Sequence, residues 1–556
     1  MTTLESATRT LASNFDQIAA ADTGWFASDS RITRSDLEAI VANPDPSVPQ
    51  SLRDAAQFLL DSDVSRHFLD VGSGSGKLDG SISRDDIDAA IETIESGAYA
   101  AALLDTAAGR GGGWTLFGNA RDGNIGSADV EAALLDPGVP AELKDALRLA
   151  QLTGEQVDFN ALVASLDSDG TAAASALYNA PGFAALPEVD RQLLAGAFVD
   201  SGGDDTVSRD ALVLIQDPSF QTMSAPQQAA AIAEFALLQT PEYTALSASD
   251  QRLVREALGD ADRRPGDTGL AASIRTLIES SEFQALDAAA QTAVLSQVRH
   301  QPDTVAVGNL DRLIDLDWFQ AMPLGEQQQT LKTIAYMSTF DNGGDRTILD
   351  NTLEKLLDPS EGYSIEWDQS MGSAAHSNPG TRVVTMGGRD VAQDNQPITP
   401  DSMEEWQAVN AVPHEINHAI DDVHVEMNHA YLDKEFQAYV TGIEAQEGRP
   451  VTRQEAAAVW QQLLDPTSTN AYGYASWGLQ YDAAGNLVAD GVGAMEDPVQ
   501  QQLILDQISE ITGVPVTLDT YQAVLGDPSS WNPPEVPGVS ATLPDAARPE
   551  GNTDNH

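Results

Sequence analysis

The sequence predicts a mainly α-helical protein, a long all-α repeat region followed by a smaller α+β domain. Three observations carry this. Asp/Gly-rich loops that lead into helices recur along residues 15 to 355. A second, purely helical repeat marked by an aromatic residue accompanies the later copies. Near residue 360 the pattern changes to short alternating, β-branched segments. At 556 residues the chain has room for roughly three or four domains, or a repeat array plus a domain. We divide it into helix–loop–helix repeats at 1–150, a helical repeat region at 151–357, an α+β domain at 358–526 and a Pro-rich tail at 527–556, expected to be extended or disordered.

The loops come first. Asp29-Ser30-Arg31-Ile32-Thr33-Arg34-Ser35-Asp36 recurs as Asp79-Gly80-Ser81-Ile82-Ser83-Arg84-Asp85-Asp86 and as Asp122-Gly123-Asn124-Ile125-Gly126-Ser127-Ala128-Asp129. Looser copies start at Asp204 and Asp345. This is the second half of an EF-hand loop: a Gly at the turn, a β-branched residue that pairs with a partner loop, and an acid that opens the exiting helix. The first half departs from the pattern. Ser75 and Lys77, or Gly118 and Ala120, stand where carboxylates belong, and the closing acid is Asp rather than the longer Glu. Asp200 with Asp204, and Asp341 with Asp345, supply more oxygen. Weak Ca2+ binding there stands beside a metal-free helix–loop–helix kept for packing.

The helical repeat places Leu or Met three residues after an aromatic, and Gln or Arg five after that. The copies are Phe183/Leu186/Arg191, Phe220/Met223/Gln228, Tyr243/Leu246/Gln251, Phe283/Leu286/Gln291 and Phe319/Met322/Gln327. The spacing predicts a short entry turn feeding an amphipathic helix, and the aromatic stripe reads as core. We find no catalytic constellation before residue 355.

Composition narrows the function. There are 85 acidic against 29 basic residues, a net charge of −56, which opposes phosphate contacts with nucleic acid and docking on anionic membranes. With no cysteine, disulfides and Cys-ligated metals are excluded. No apolar run is long enough to span a membrane, and the N-terminus lacks the pattern of a cleaved secretory leader. The acid excess itself fits a self-repelling surface, many weak Ca2+ sites or a high-salt habitat.

The chemistry lies in the α+β domain. Tyr363–Trp367 and Thr381–Met386 read as strands, with Asn378-Pro379-Gly380 as a turn before the second. Downstream lies Pro413-His414-Glu415-Ile416-Asn417-His418. His414 and His418 are one helical turn apart and face the same way, so two neutral imidazoles can share one Zn2+ ion. Glu415 then reaches the metal's water rather than the metal and can act as general base. A surface helix with two solvated histidines is the bland reading. Against it stand the upstream strands, the apolar flanks and the clustering of four of the eight histidines in residues 414–429.

Two residues compete for third ligand. His424 completes a run of three histidines at metzincin spacing, but Asp421 stands where that pattern needs Gly or Asn for a sharp turn. Glu435, seventeen residues after His418, lies on a second predicted helix over Leu432–Ala445, with Ala438 leaving room for the first helix. Glu435, followed by Ala438 and Tyr439, resembles the third ligand of the gluzincins. The stretch from His414 to Tyr439 resembles the catalytic helices of lethal-factor-type toxins and of zinc-protease effectors injected by bacterial secretion systems. The resemblance implies a zincin-like fold, zinc on His414, His418 and Glu435, Glu415 as base, and a Tyr on the oxyanion (Tyr439, Tyr472 or Tyr474). Asp421 is a candidate partner for a ligand histidine. The expectation is a zinc metallopeptidase acting on a protein or peptide, secreted or translocated from a bacterium without a cleaved signal peptide. The competing expectation is a non-enzymatic, calcium-responsive scaffold or translocation protein with a degenerate zinc site.

Overall fold

The structure is a computed structural model. It describes residues 2–21, 30–72, 78–96, 99–107, 123–154, 156–261, 269–341, 343–371, 375–378, 381–420, 431–464, 480–481, 487–489 and 498–532. The described chain is mainly helical with a small sheet. It divides into two compact units, Met1–Ala245 and Leu246–His556. Among the described residues no helix is long and apolar enough to cross a membrane.

In the first unit the loop repeats build a short ribbon. Strand β1 (Arg31–Thr33) runs antiparallel to β2 (Ser81–Ser83), with Ile32 opposite Ile82 and both side chains buried. Each strand feeds a helix, Arg34–Ala42 and Arg84–Glu95. Asp36 and Asp86 lie in the first turns, where their carboxylates accept from the N–H of Thr33 and Ser83 at 2.8 Å. Gly80 has φ +81° and Gly123 +77°, a backbone that a side chain resists. The carboxylate that serves the second turn comes from outside the expected window. Asp70, at the end of the preceding helix, accepts from the N–H of Asp79 and Gly80 at 3.1 and 2.9 Å. Asp105 likewise accepts from Gly123 at 3.1 Å.

The looser copies depart from expectation. Val207 and Ile348 make no ribbon; they lie inside helices Asp205–Gln216 and Thr347–Leu357. The reason is local. The Asp204 and Asp345 carboxylates accept from the N–H groups of Thr206 and Thr347 at 2.7 and 2.9 Å, which starts each helix before a strand residue can fit.

The five marked aromatics all lie in short helices, Pro181–Ala185, Pro218–Thr222, Pro241–Ala245, Ser281–Ala285 and Asp317–Gln320, and all are buried. A longer helix follows each. The spaced Gln has a structural task. Gln228, Gln291 and Gln327 donate Nε2 to the carbonyl of Phe220, Phe283 and Phe319 at 2.9, 3.0 and 3.2 Å, closing the end of each short helix. Gln251 reaches Leu246 instead, at 3.2 Å.

In the second unit, β3 (Ser364–Asp368) runs parallel to β5 (Val383–Gly387), and β4 (Ala375–Asn378) pairs antiparallel on the far side of β5. The order β3-β5-β4 makes β4 an edge strand. Asn378 thus ends a strand that the sequence reading had as a turn; Pro379 and Gly380 lie outside the described residues. Ile365, Trp367, Val384 and Met386 point inward, and Trp367 donates Nε1 to Thr330 at 2.9 Å on helix Leu324–Thr339. The same helix anchors the segment after β5. Gln329 donates to the carbonyls of Gly388 and Val391, and the buried Lys332 ammonium sits 3.1 Å from both Asp394 and Glu404. Below, Phe436 stacks on Trp460 at 4.6 Å within a core completed by helices Pro498–Thr512 and Tyr521–Gly526. Residues 528–532, expected as part of the tail, are folded. Pro528–Ser530 forms a 3-10 turn, Trp531 donates Nε1 to Val524 at 2.7 Å, and Asn532 donates to Thr512 at 2.9 Å. An apolar ring and a free helix-end carbonyl hold these residues to the core. Residues from 533 lie outside the described set.

Candidate metal centre

The segment before the motif is helical from Met403 and passes through a π-helical turn, Gln407–Ala411, into the motif helix, Val412–Ile420. The widened turn is pinned to the sheet, since Gln407 donates Nε2 to the Gly387 carbonyl at 3.1 Å. His414, Glu415 and Ile416 are buried; His418, one turn on, is half-buried. The ligand helix, Tyr431–Glu447, packs against the motif helix. Close approach depends on Gly442, because a Cβ there would lie 2.8 Å from Asn410 Oδ1 and 2.9 Å from the Asn410 carbonyl oxygen. Asn410 also donates to Gln446 at 3.1 Å, and Asn417 to Thr441 at 3.2 Å, so polar contacts fix the register of the pair.

That packing brings His414, His418 and Glu435 together. The two Nε2 atoms are 3.2 Å apart, and the Glu435 carboxylate lies 3.4 Å from His418 Nε2 and 3.8 Å from His414 Nε2. All three donor atoms fall within 4.8 Å of one another. Bonds of about 2.0–2.1 Å at tetrahedral angles put neighbouring ligand atoms about 3.3 Å apart. The measured separations bracket that figure, so the donor set fits a small, borderline-soft cation. The geometry alone names no particular metal.

Electrostatics agree with a binding role. Burial, and then the nearby His418, pull the His414 imidazole down to about 3, so it is a neutral donor at any ordinary pH. The Ala438 carbonyl accepts from the His414 ring, and since Nε2 faces His418, this occupies Nδ1 and fixes the tautomer. Tyr439 stands edge-on to the same ring at 4.7 Å. Glu415 is not among the three. Its carboxylate is 3.9 Å from His414 Nε2, and burial pushes it up to about 7, with the Ser377 N–H and hydroxyl bonds pulling the other way.

Other residues singled out from the sequence fall elsewhere. Asp421, His424, Tyr472 and Tyr474 lie outside the described residues. Asp200 ends helix Glu188–Asp200. Asp341 accepts from the Gly343 N–H at 2.8 Å, while Asp204 and Asp345 cap helices as above. Among the described residues these four join no group of three metal-binding side chains. Ser377, Gly442 and the Ala438 carbonyl were not anticipated as site groups. Only the smallness of Ala438 and its place beside Glu435 hinted at a role. Comparison with known families, with curated proteins and with solved structures gives no match to this chain.

Proposed function

We propose that this chain is a zinc metallopeptidase of the gluzincin type, with a zincin-like domain behind a helical repeat region. The convergence of two buried-face imidazoles and the Glu435 carboxylate beside a separate, buried Glu415 carries the reading. Zinc held by His414, His418 and Glu435 supplies Lewis acidity toward a carbonyl oxygen and toward water. The chain's own residues do the rest. Glu415 accepts a proton from the attacking water at a carboxylate oxygen and delivers it to the leaving nitrogen. Strand β4, last in the described sheet, packs on the motif helix and so borders the site at which a peptide would lie. Tyr439, against His414, is the described Tyr placed to steady a developing oxyanion or the ligand ring. The substrate is a protein or peptide. Delivery from a bacterium as an effector or toxin goes with this reading and rests on the motif resemblance.

The test is elemental analysis together with a peptide-cleavage assay. Protein purified without chelator is expected to hold about one zinc per chain. Glu415→Gln is expected to keep the zinc and lose turnover by about 100-fold or more, because proton transfer alone is removed. Wild-type protein without a tightly held transition metal would favour the non-enzymatic scaffold.

A further inference from the structure

We infer that Ser377 is a positioning residue for Glu415, its backbone N–H and hydroxyl together holding the carboxylate in one orientation. This deepens the peptidase reading and rests on it. Three observations carry it. Strand β4 stands last in the order β3-β5-β4 among the described residues, and it packs on the motif helix. Glu415 is buried, with 6% of its surface exposed. Both the backbone N–H and the hydroxyl of Ser377 reach its carboxylate.

The two donors have separate roles. The backbone N–H holds the carboxylate from the strand itself, and the hydroxyl, carried by the Ser377 side chain, adds a second bond that limits its rotation. Without the hydroxyl, one of the two bonds that aim the buried carboxylate is gone, and it can turn away from the reacting atoms. A displacement of about 0.5 Å is enough to spoil such a site. The N–H belongs to any residue at 377, whereas the hydroxyl belongs to Ser or Thr, so substitution isolates the second role. Ser377 is not one of the three donors; it acts through Glu415.

The experiment uses the full chain with three variants, Ser377→Val, Ser377→Thr and Glu415→Gln, plus the Val/Gln double variant. In the zinc-loaded protein, Ser377→Val is expected to lower kcat about 10- to 100-fold, with KM and zinc content unchanged. Ser377→Thr, which restores the hydroxyl on a strand-compatible side chain, is expected to recover most of it. In the metal-free protein, the melting shifts of Ser377→Val and Glu415→Gln are expected to be non-additive, as for groups in contact. Wild-type turnover in Ser377→Val, failure of Thr to rescue, or additive melting shifts would each overturn the assignment. A wild type that cleaves no peptide removes the peptidase reading. The melting cycle then still decides whether Ser377 holds Glu415.

Discussion

Gly442→Ala tests how the Glu435 helix comes within reach of His414 and His418, the proposed zinc site. The added Cβ would meet the Asn410 side-chain oxygen at 2.8 Å and the Asn410 carbonyl oxygen at 2.9 Å. The side chain can rotate, but the carbonyl belongs to the π-helical turn and cannot. Ordinary carbon contacts begin at about 3.5 Å, so the ligand helix must retreat by about 0.5 Å. Glu435 is seven residues away, two turns along the same helix and on the same side. Metal–ligand bonds tolerate only about 0.2 Å. Zinc affinity is therefore expected to fall about 10- to 100-fold, or about 1.4–2.7 kcal/mol, beside an overpacking cost of about 1–3 kcal/mol in fold stability. Competition against a chromophoric chelator measures the first, and thermal melting of the metal-free protein the second. Gly308→Ala is the control. That glycine is also helical, in Thr304–Ile314, but its Cβ would meet nothing within 4 Å, so the variant should gain about 0.5–1 kcal/mol. Gly442→Ala protein with wild-type zinc affinity would refute the idea that this contact seats Glu435.

Three further outcomes are expected. Glu435→Ala should abolish tight zinc binding while His424→Ala keeps most of it, as read by metal content after dialysis; the opposite pattern would make His424 the ligand. Asp70 has a carboxyl that burial raises to about 6 from the ordinary 3.8, so its ionisation penalises the fold. The penalty is absent below pH 3.8, grows between 3.8 and 6, and is complete above 6. Asp70→Asn keeps one oxygen for the Gly80 N–H and loses the acceptor for the Asp79 N–H, so it should lower the melting temperature at acid pH while removing the pH-dependent component, seen as a flatter profile than wild type over the same window. Lys332→Met should cost about 3 kcal/mol in a denaturant titration. It strands Glu404 without its ammonium, at the lower end for a broken buried pair because Asp394 reaches solvent.

What the sequence made legible was whatever repeats within one or two helical turns. His414 and His418 share a face because helix geometry requires it, and the apolar spacing around Phe436 placed Glu435 on a helix observed over Tyr431–Glu447. That Ile32 and Ile82 each pair with a partner loop was visible because an isoleucine recurs between an Asp-led turn and a helix cap, while which loops pair was not. Strand β4 was not visible, since Ala375-His376-Ser377-Asn378 has no β-branched residue and only its pairing with β5 makes it a strand. Asp70 escaped for a different reason. It reaches Gly80 from ten residues back, whereas an EF-hand loop begins only about five residues before its turn glycine.

The same distinction separates the motif from the site. A His-Glu-x-x-His helix fixes two donors and the direction of Glu415, and nothing more. The third donor requires a second helix to approach within a glycine's reach of Asn410. The tautomer of His414 depends on one carbonyl of that helix, at Ala438. The orientation of Glu415 requires an edge strand about forty residues upstream, bearing a hydroxyl at one position. Each is a long-range contact made by a small or polar residue, the kind that hydrophobic periodicity does not mark. Variants at Gly442 and Ser377 therefore probe the site more sharply than variants in the motif. Changing His414 removes a donor under any reading of the motif, whereas Gly442→Ala and Ser377→Val leave every donor in place and disturb only what aims them.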